Sequence, residues 1–301
     1  MNRREALQEG ARILAGEGRW ASGTPSLDAS LLLAHVLGLP RDRLLASFPE
    51  ILSETELASY RGLLELRRLG RPIAYILGHK EFWGRVFLVD DRVLIPRPDT
   101  ELLVETSLHL GRKLLEERRH AGLGEEGGGA VLACHEACTG SGCVAISLAL
   151  ERPAWRITAS DISEAALEVA RLNAERLLDG FSSKLVCFKA DLFEGLEGSY
   201  DLLIANPPYV ESAEAGELAA VWGEPRLALD GGSDGLDPYR RLLPSAVKSL
   251  APGGFLILEA GPEQATKLRG LFADAGLVEV GTDADLAGRP RVTLGRKPWT
   301  T

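Results

Sequence analysis

Residues 130–151 read AVLACHEACTGSGCVAISLALE. The first part is a continuous apolar run of strand length. The last part stays apolar for the length of a helix. Small residues and two glycines separate them. A strand apolar on both faces that turns through glycines into a buried helix is the opening unit of a parallel sheet with helices on both sides. The pattern repeats downstream. RITASD, KLVCFKA, YDLLIAN and GGFLILEAG read as strands, and SEAALEVARLNAERL, DPYRRLLPSAVKSL and EQATKLRGLFADAG as helices. LVEVGTD and RVTLGR close the chain as two strands near enough in sequence to pair antiparallel. The expectation is an α/β domain built on a seven-stranded, mainly parallel sheet.

Upstream the period changes. Residues 1–78 hold no convincing strand. REALQEGARILAGEG, PSLDASLLLAHVLGL and SETELASYRGLLELRRLG carry apolar residues at helical spacing. Ser53 followed three residues later by Glu56 matches a capping box. This predicts a small all-α module. KEFWGRVFLVDDRVLIP, residues 80–96, alternates around an Asp-Asp pair and predicts a hairpin turning at those aspartates. A long helix follows from RPDTELLVE, starting near Asp99 or Thr100, and AGLGEEGGG, residues 121–129, reads as a flexible loop. The predicted domains are therefore 1–78 helical, 79–97 hairpin linker and 98–301 sheet domain.

The chain has 301 residues, 45% hydrophobic and 26% charged, enough for a sizeable core. Its net charge of −9 opposes extensive contact with a phosphate backbone. MNRREALQEG lacks the apolar core of a signal peptide, and no apolar run reaches the roughly 18 residues of a membrane span. The reading is a soluble, cytoplasmic protein. Cys134, Cys138 and Cys143 cluster around His135. They lack the close Cys-x2-Cys pairs of structural zinc sites, so they read as small buried hydrophobes, and no metal is expected.

Ligands of such sheets bind at the carboxyl ends of the strands. Three features fall there. Cys138, Thr139, Gly140, Ser141 and Gly142 form a small-residue turn that lets a ligand lie against backbone amides, but it is neither a phosphate loop nor a complete dinucleotide fingerprint. Asp161, about twenty residues on, ends the second strand, where a carboxylate accepts ribose hydroxyls. The competing reading is a helix cap. Asp191 in KADLF can accept from an adenine amino group with Leu192 and Phe193 flanking the ring, or can cap its loop. An adenosine cofactor without pyrophosphate fits, which points to S-adenosylmethionine.

ANPPYV, residues 205–210, ends the fourth strand abruptly. Two prolines remove two backbone donors and fix two φ angles. The Asn206 side-chain carbonyl and the Pro207 backbone carbonyl can each take one hydrogen of a substrate –NH2, with Tyr209 against its plane. Such a planar, conjugated nitrogen is a weak nucleophile that positioning can activate by about 7–11 kcal/mol. Asn206, Pro207, Pro208 and Tyr209 are the candidate catalytic residues.

ANPPYV together with EACTGSGC, SDIS and ADLF resembles class I S-adenosylmethionine-dependent methyltransferases of the amino-methylating type. GRPIAYILGHKEFWG, VLIPRPDTELLVE, EPRLALDGGSDGLDPYRRLL and GGFLILEAGPEQ narrow the resemblance to the HemK/PrmC family, over nearly the whole chain. The resemblance implies a Rossmann-like class I methyltransferase sheet and a substrate-recognising N-terminal domain. It implies methylation of the side-chain amide nitrogen (N5) of the Gly-Gly-Gln glutamine in peptide chain release factors, modulating translation termination, with S-adenosylhomocysteine as product. It puts residues 138–142, Asp161, Leu192 and Asn206 on the cofactor and residues 206–209 on the substrate glutamine. The family usually has Gly where this chain has Cys138 and Asp where it has Glu136. Cys138 is therefore expected to hold a negative or tolerated φ and to set a side chain near the cofactor. Arg97, Pro98 and Glu101 are candidates for closing the cleft. The expected partner is a release factor, not nucleic acid or membrane, with the enzyme acting as a monomer. The alternatives are an N6-adenine methyltransferase of DNA or RNA, which must flip its base, a ribosomal-protein glutamine methyltransferase, and a non-catalytic nucleoside-binding adaptor.

Overall fold

The computed structural model describes residues 1–16, 22–122, 131–178 and 185–299. Most of the predicted loop at 121–129 lies outside the described residues. The chain divides into two compact units, one of residues 1–79 with 220–223 and one of residues 80–219 with 224–301.

The first unit is helical: α1 (Arg3–Leu14), α2 (Pro25–Leu37), α3 (Arg41–Ala46), α4 (Glu54–Arg68) and α5 (Ile73–Leu77). The Ser53–Glu56 capping box starts α4, and Asn2 with Glu5 forms a second at α1. Each satisfies two amides that a helix start leaves without partners. Leu14, Leu32, Leu33, Leu44, Tyr60 and Leu64 form the core of this unit. The buried Asp28 carboxylate is paired with Arg67 at 2.8 Å, as a charge removed from water must be.

The second unit opens with a hairpin, β1 (His79–Phe82) and β2 (Arg85–Leu88). Its turn is Trp83–Gly84, not the expected Asp90–Asp91. Trp83 and Gly84 both have positive φ, 52° and 67°. A two-residue turn of that kind matches the twist of paired strands, whereas an ordinary turn splays them. Asp90 and Asp91 follow β2, where the Asp90 side chain accepts from the Arg92 amide at 3.0 Å. Residues 92–97 form no strand. The hairpin is pinned by Asn173, whose side chain pairs with both the amide and the carbonyl of Leu88 at 2.7 and 3.0 Å.

Then follow α6 (Glu101–His120), β3 (Ala133–Ala137), α7 (Cys143–Glu151), β4 (Arg156–Asp161), α8 (Glu164–Leu177), β5 (Leu185–Lys189), β6 (Tyr200–Ala205), α9 (Ser212–Trp222), α10 (Asp237–Ser249), β7 (Leu250–Glu259), α11 (Ala265–Asp274), β8 (Val278–Ala284) and β9 (Pro290–Arg296). The seven strands lie in the order β5-β4-β3-β6-β7-β9-β8. The first five are parallel, and β9 pairs antiparallel with both β7 and β8. Along β6, Leu202 and Ile204 enter one core with α6 and α7, while Leu203 and Ala205 enter the other with α10 and α11. That two-residue alternation, with both faces buried, explains the unbroken apolar strands. Cys134 and Cys143 are part of the first core.

From β3 the chain runs outward to β4 and β5, then returns to the other side of β3 as β6. The strand order reverses there, so the connections leaving β3 and β6 diverge and open a crevice.

Candidate active site

A cavity of about 210 Å³ occupies this crevice, within the second unit. Its floor is the turn after β3. Cys138, Thr139, Gly140 and Ser141 line it, as do Asp161, Asp191, Leu192, Asn206 and Pro208. Eight residues expected at the cofactor therefore converge from the ends of four strands. Of the other expected residues, Gly142 lies behind the cavity. A side chain there would meet Ile146 at 2.9 Å, so its glycine serves the packing of α7 and α8. Pro207 is buried, and Tyr209 is partly buried against the second core. Phe193 is also in that core and not in the cavity wall.

The turn is held by short bonds. Thr139 N–H donates to Ser160 O at 3.0 Å, and Gly142 N–H to Thr139 O at 2.8 Å. The Thr139 hydroxyl donates to Glu136 Oε2 at 2.6 Å, and Ala145 N–H to the same oxygen at 3.0 Å. Glu136 is fully enclosed, so burial pushes its carboxyl up to about 8 despite these donors. It is then mostly neutral at pH 7. Cys138 has φ +57°, so of the expected negative or tolerated φ it takes the positive, left-handed one. A side chain in this left-handed region costs about 1–2 kcal/mol. The fixed path of the turn imposes the strain, and burial raises its thiol pKa.

Asp161 is not the N-cap of α8. The N-cap of α8 is Ser163, whose side chain accepts from Ala166 N–H. Asp161 instead accepts from Gly140 N–H at 2.9 Å and Ser163 N–H at 2.9 Å, tying the glycine turn to β4. An ionised carboxylate has about four acceptor positions, so these bonds leave room for a further donor. Burial raises its pKa, against backbone amides that lower it. Asp191 Oδ2 takes Arg241 Nη2 at 2.5 Å, leaving its other oxygen for a donor in the cavity.

Asn206 follows Ala205, whose register partner on β3 is Ala137. The Asn206 segment is thus the immediate neighbour of the glycine turn. Beyond it the backbone is clasped by residues 229–235. Val210 N–H donates to Leu229 O at 2.9 Å, Gly231 N–H to Val210 O at 2.7 Å, and Ser212 N–H to Gly232 O at 2.9 Å. Gln264 Nε2 donates to Tyr209 O at 2.8 Å and to Gly235 O at 3.2 Å. A Cβ on Gly231 would lie 2.7 Å from Tyr209 Cα, and one on Gly235 2.3 Å from Tyr209 O. The glycines of LDGGSDGLD let this clasp close. Burial raises the Tyr209 phenol to about 12, so it stays protonated.

Two walls lacked assigned contacts in the sequence. Arg92, Val93, Leu94, Pro96, Arg97 and Thr100 form one, and Pro225, Leu227, Ala228 and Asp230 line the other. Glu224 joins them: its buried carboxylate accepts from Ile95 N–H at 3.0 Å and from Arg97 Nη2 at 2.5 Å. Arg97 thus lines the cleft as expected, while Pro98 does not. Glu101 accepts instead from Trp83 N–H at 2.8 Å and anchors the hairpin. The only available sequence signal was the specificity of IPRPDTE and EPRLALDGG as motifs.

Residues 5–78 match the PrmC N-terminal domain, and residues 132–222 match the methyltransferase small domain. A release factor glutamine methyltransferase of Bradyrhizobium diazoefficiens is 39% identical over 97% of this chain and 95% of its own length. That of Moorella thermoacetica is 40% identical over 98% of both chains. That of Bordetella pertussis is 40% identical over 91% of this chain and 95% of its own. Among solved structures, the hMettl16 catalytic domain in complex with MAT2A 3'UTR hairpin 6 superimposes with a TM-score of 0.54, 16% identity and 83% of each chain covered. At that identity the likeness concerns the fold alone.

Proposed function

As the chain belongs to the release factor glutamine methyltransferase family, we propose that it methylates the side-chain amide nitrogen of the Gly-Gly-Gln glutamine in a peptide chain release factor, with S-adenosylmethionine as donor. Adenine methylation has no counterpart among these relatives. When bound, the donor supplies an electrophilic methyl carbon on a sulfonium. The cavity fits its adenosine part. Gly140 lines it with no atom within 4 Å of where a Cβ would stand, so backbone meets the ligand directly. Asp161 keeps a free acceptor position for the ribose, and Asp191 with Leu192 lies on the side suited to the adenine.

In this reading Cys138 to Ser141, Asp161, Asp191, Leu192 and Asn206 hold the cofactor, Gly142 supports their turn from behind, and Asn206 to Tyr209 hold the substrate. Asn206 Oδ1 and Pro207 O accept the two amide hydrogens and turn the nitrogen lone pair toward the methyl carbon. Tyr209, neutral at working pH, packs against the amide plane. The acceptors also face the positive charge that grows on the nitrogen, which favours the transition state over the ground state. The observation that carries the proposal is the register of β3 beside β6, with the Asn206 segment at the edge of the cavity. The enzyme acts on protein as a cytoplasmic monomer. Its net charge of −9 supports a protein substrate over a polynucleotide, and no described helix is long and apolar enough to cross a membrane.

The test offers the purified protein methyl-labelled S-adenosylmethionine with a release factor and, separately, with adenine-containing oligonucleotides. Label on the Gly-Gly-Gln glutamine is expected. Label on adenine, or none on the release factor, overturns the proposal.

A further inference from the structure

Glu259 ends β7 beside Asn206, one residue beyond the last paired positions, Ala205 and Leu258. It is 1% exposed and does not line the cavity. Burial raises its carboxyl pKa, and the neighbouring Thr100 hydroxyl and Asn206 side-chain amide oppose that rise. Oε2 has no hydrogen-bond partner among the described residues. A buried, incompletely paired carboxylate is expensive to keep, and none of the binding roles above uses it. Asn206 Nδ2 also donates to Thr100 Oγ1, at 3.4 Å.

We propose that Glu259 is a positioning residue that fixes which end of the Asn206 side-chain amide faces the substrate. An asparagine amide has a carbonyl end that only accepts and an –NH2 end that only donates. The two ends have nearly the same shape, so packing does not distinguish them. A substrate –NH2 is a donor, and Asn206 serves it only when Oδ1 points into the cleft. Glu259, away from the cavity, and Thr100, on its wall beside Asn206, present oxygen acceptors to Nδ2. The reversed amide would set Oδ1 against the Glu259 carboxylate and Nδ2 against the substrate hydrogens, leaving both sides repulsive. The Thr100 hydroxyl completes the arrangement because it accepts from Asn206 while its own hydrogen stays available to Glu259.

This proposal rests on Asn206 being the substrate acceptor, and the test separates the two. Steady-state methylation of a release factor is measured for wild type, Glu259→Gln and Glu259→Leu, with cofactor affinity from calorimetry and thermal midpoints alongside. Glutamine keeps an oxygen acceptor toward Asn206 and leucine removes it. The expected result is a fall in kcat of about 10²-fold for Glu259→Leu, cofactor affinity within threefold of wild type, and recovery to within about fivefold in Glu259→Gln. Equal losses in both variants would show that the carboxylate charge, not an acceptor, is required, and would overturn the proposal. So would full activity in Glu259→Leu. Should that variant not fold, the wild-type protein decides by NMR. The Asn206 side-chain ¹⁵N–H pair, assigned by its absence in Asn206→Ala, is expected to exchange slowly with solvent, and fast exchange overturns the proposal. Absence of methylation by wild type would instead defeat the underlying function.

Discussion

Replacing Gly235 by alanine probes the clasp that holds the substrate-side segment. Gly235 has φ +70°, where an added Cβ costs about 1–2 kcal/mol. That Cβ would also lie 2.2 Å from Gln264 Nε2 and 2.3 Å from Tyr209 O. Both atoms belong to the 2.8 Å hydrogen bond that secures the backbone after the proline pair. Breaking it adds about 1 kcal/mol, and the companion bond to Gly235 O about the same. The sum is about 3–4 kcal/mol, or a fall in thermal midpoint of roughly 10 °C. Because Tyr209 must move by the order of 1 Å, kcat should fall about 10²-fold. Cofactor affinity should change less than threefold, since Gly235 is outside the cavity wall. Gly288 is the control: its φ is +76° and a Cβ there meets nothing within 4 Å. Differential scanning calorimetry and methyl-transfer kinetics compare the two alanine variants. If Gly235→Ala is no worse than Gly288→Ala in either assay, the clasp does not position the segment.

Other consequences concern charge, strain and the cofactor. Burial raises Glu136 to about 8 and Glu259 to about 7, above their ordinary 4.5. As pH falls from 8.5 to 6.5 the folded state takes up protons that the unfolded state does not, so stability should rise by about 2–3 kcal/mol. Below 6.5 the gain is opposed by His135, whose burial lowers its pKa to about 3. Urea unfolding at the two pH values checks this; Glu136→Gln should flatten the slope, and an unchanged slope refutes the assignment. Cys138→Gly should raise stability by up to about 1 kcal/mol, relief of a left-handed φ being partly offset by glycine's greater unfolded freedom. A loss above about 1 kcal/mol in denaturant titration would mean the thiol's packing outweighs its strain. Asp161→Ala should weaken cofactor binding at least tenfold in calorimetry, because it removes the acceptors proposed for the ribose and frees the Gly140 amide. Unchanged affinity would remove Asp161 from the site.

The sheet was legible because its central strands are buried on both faces, so that YDLLIAN and GGFLILEAG announce themselves by apolar continuity. That the glycine turn and Asp161 meet at one crevice was legible because both stand at the ends of neighbouring strands. The hairpin turn was misjudged because Trp83 takes a positive φ, which a tryptophan does not advertise. The Asp-Asp pair, a conventional turn signal, belongs to a different bend. Which φ Cys138 takes was not legible either, since tertiary contacts around the turn dictate it. The cavity walls depend on Glu224 reaching Ile95 and Arg97 across more than a hundred residues. No local pattern encodes such a bond. Glu259 was hidden for the opposite reason, as a single carboxylate at the end of an apolar strand looks like the strand's exit to solvent.

The central claim is that Asn206 and Pro207 grip the substrate amide at the point of methyl transfer. Its most direct test is single-turnover transfer to a release factor from enzyme preloaded with labelled cofactor, comparing wild type with Asn206→Ala. In Asn206→Ala the transfer rate is expected to fall at least about 10²-fold, while the preloaded cofactor still binds and the protein remains folded. Transfer at the wild-type rate by folded Asn206→Ala would contradict it.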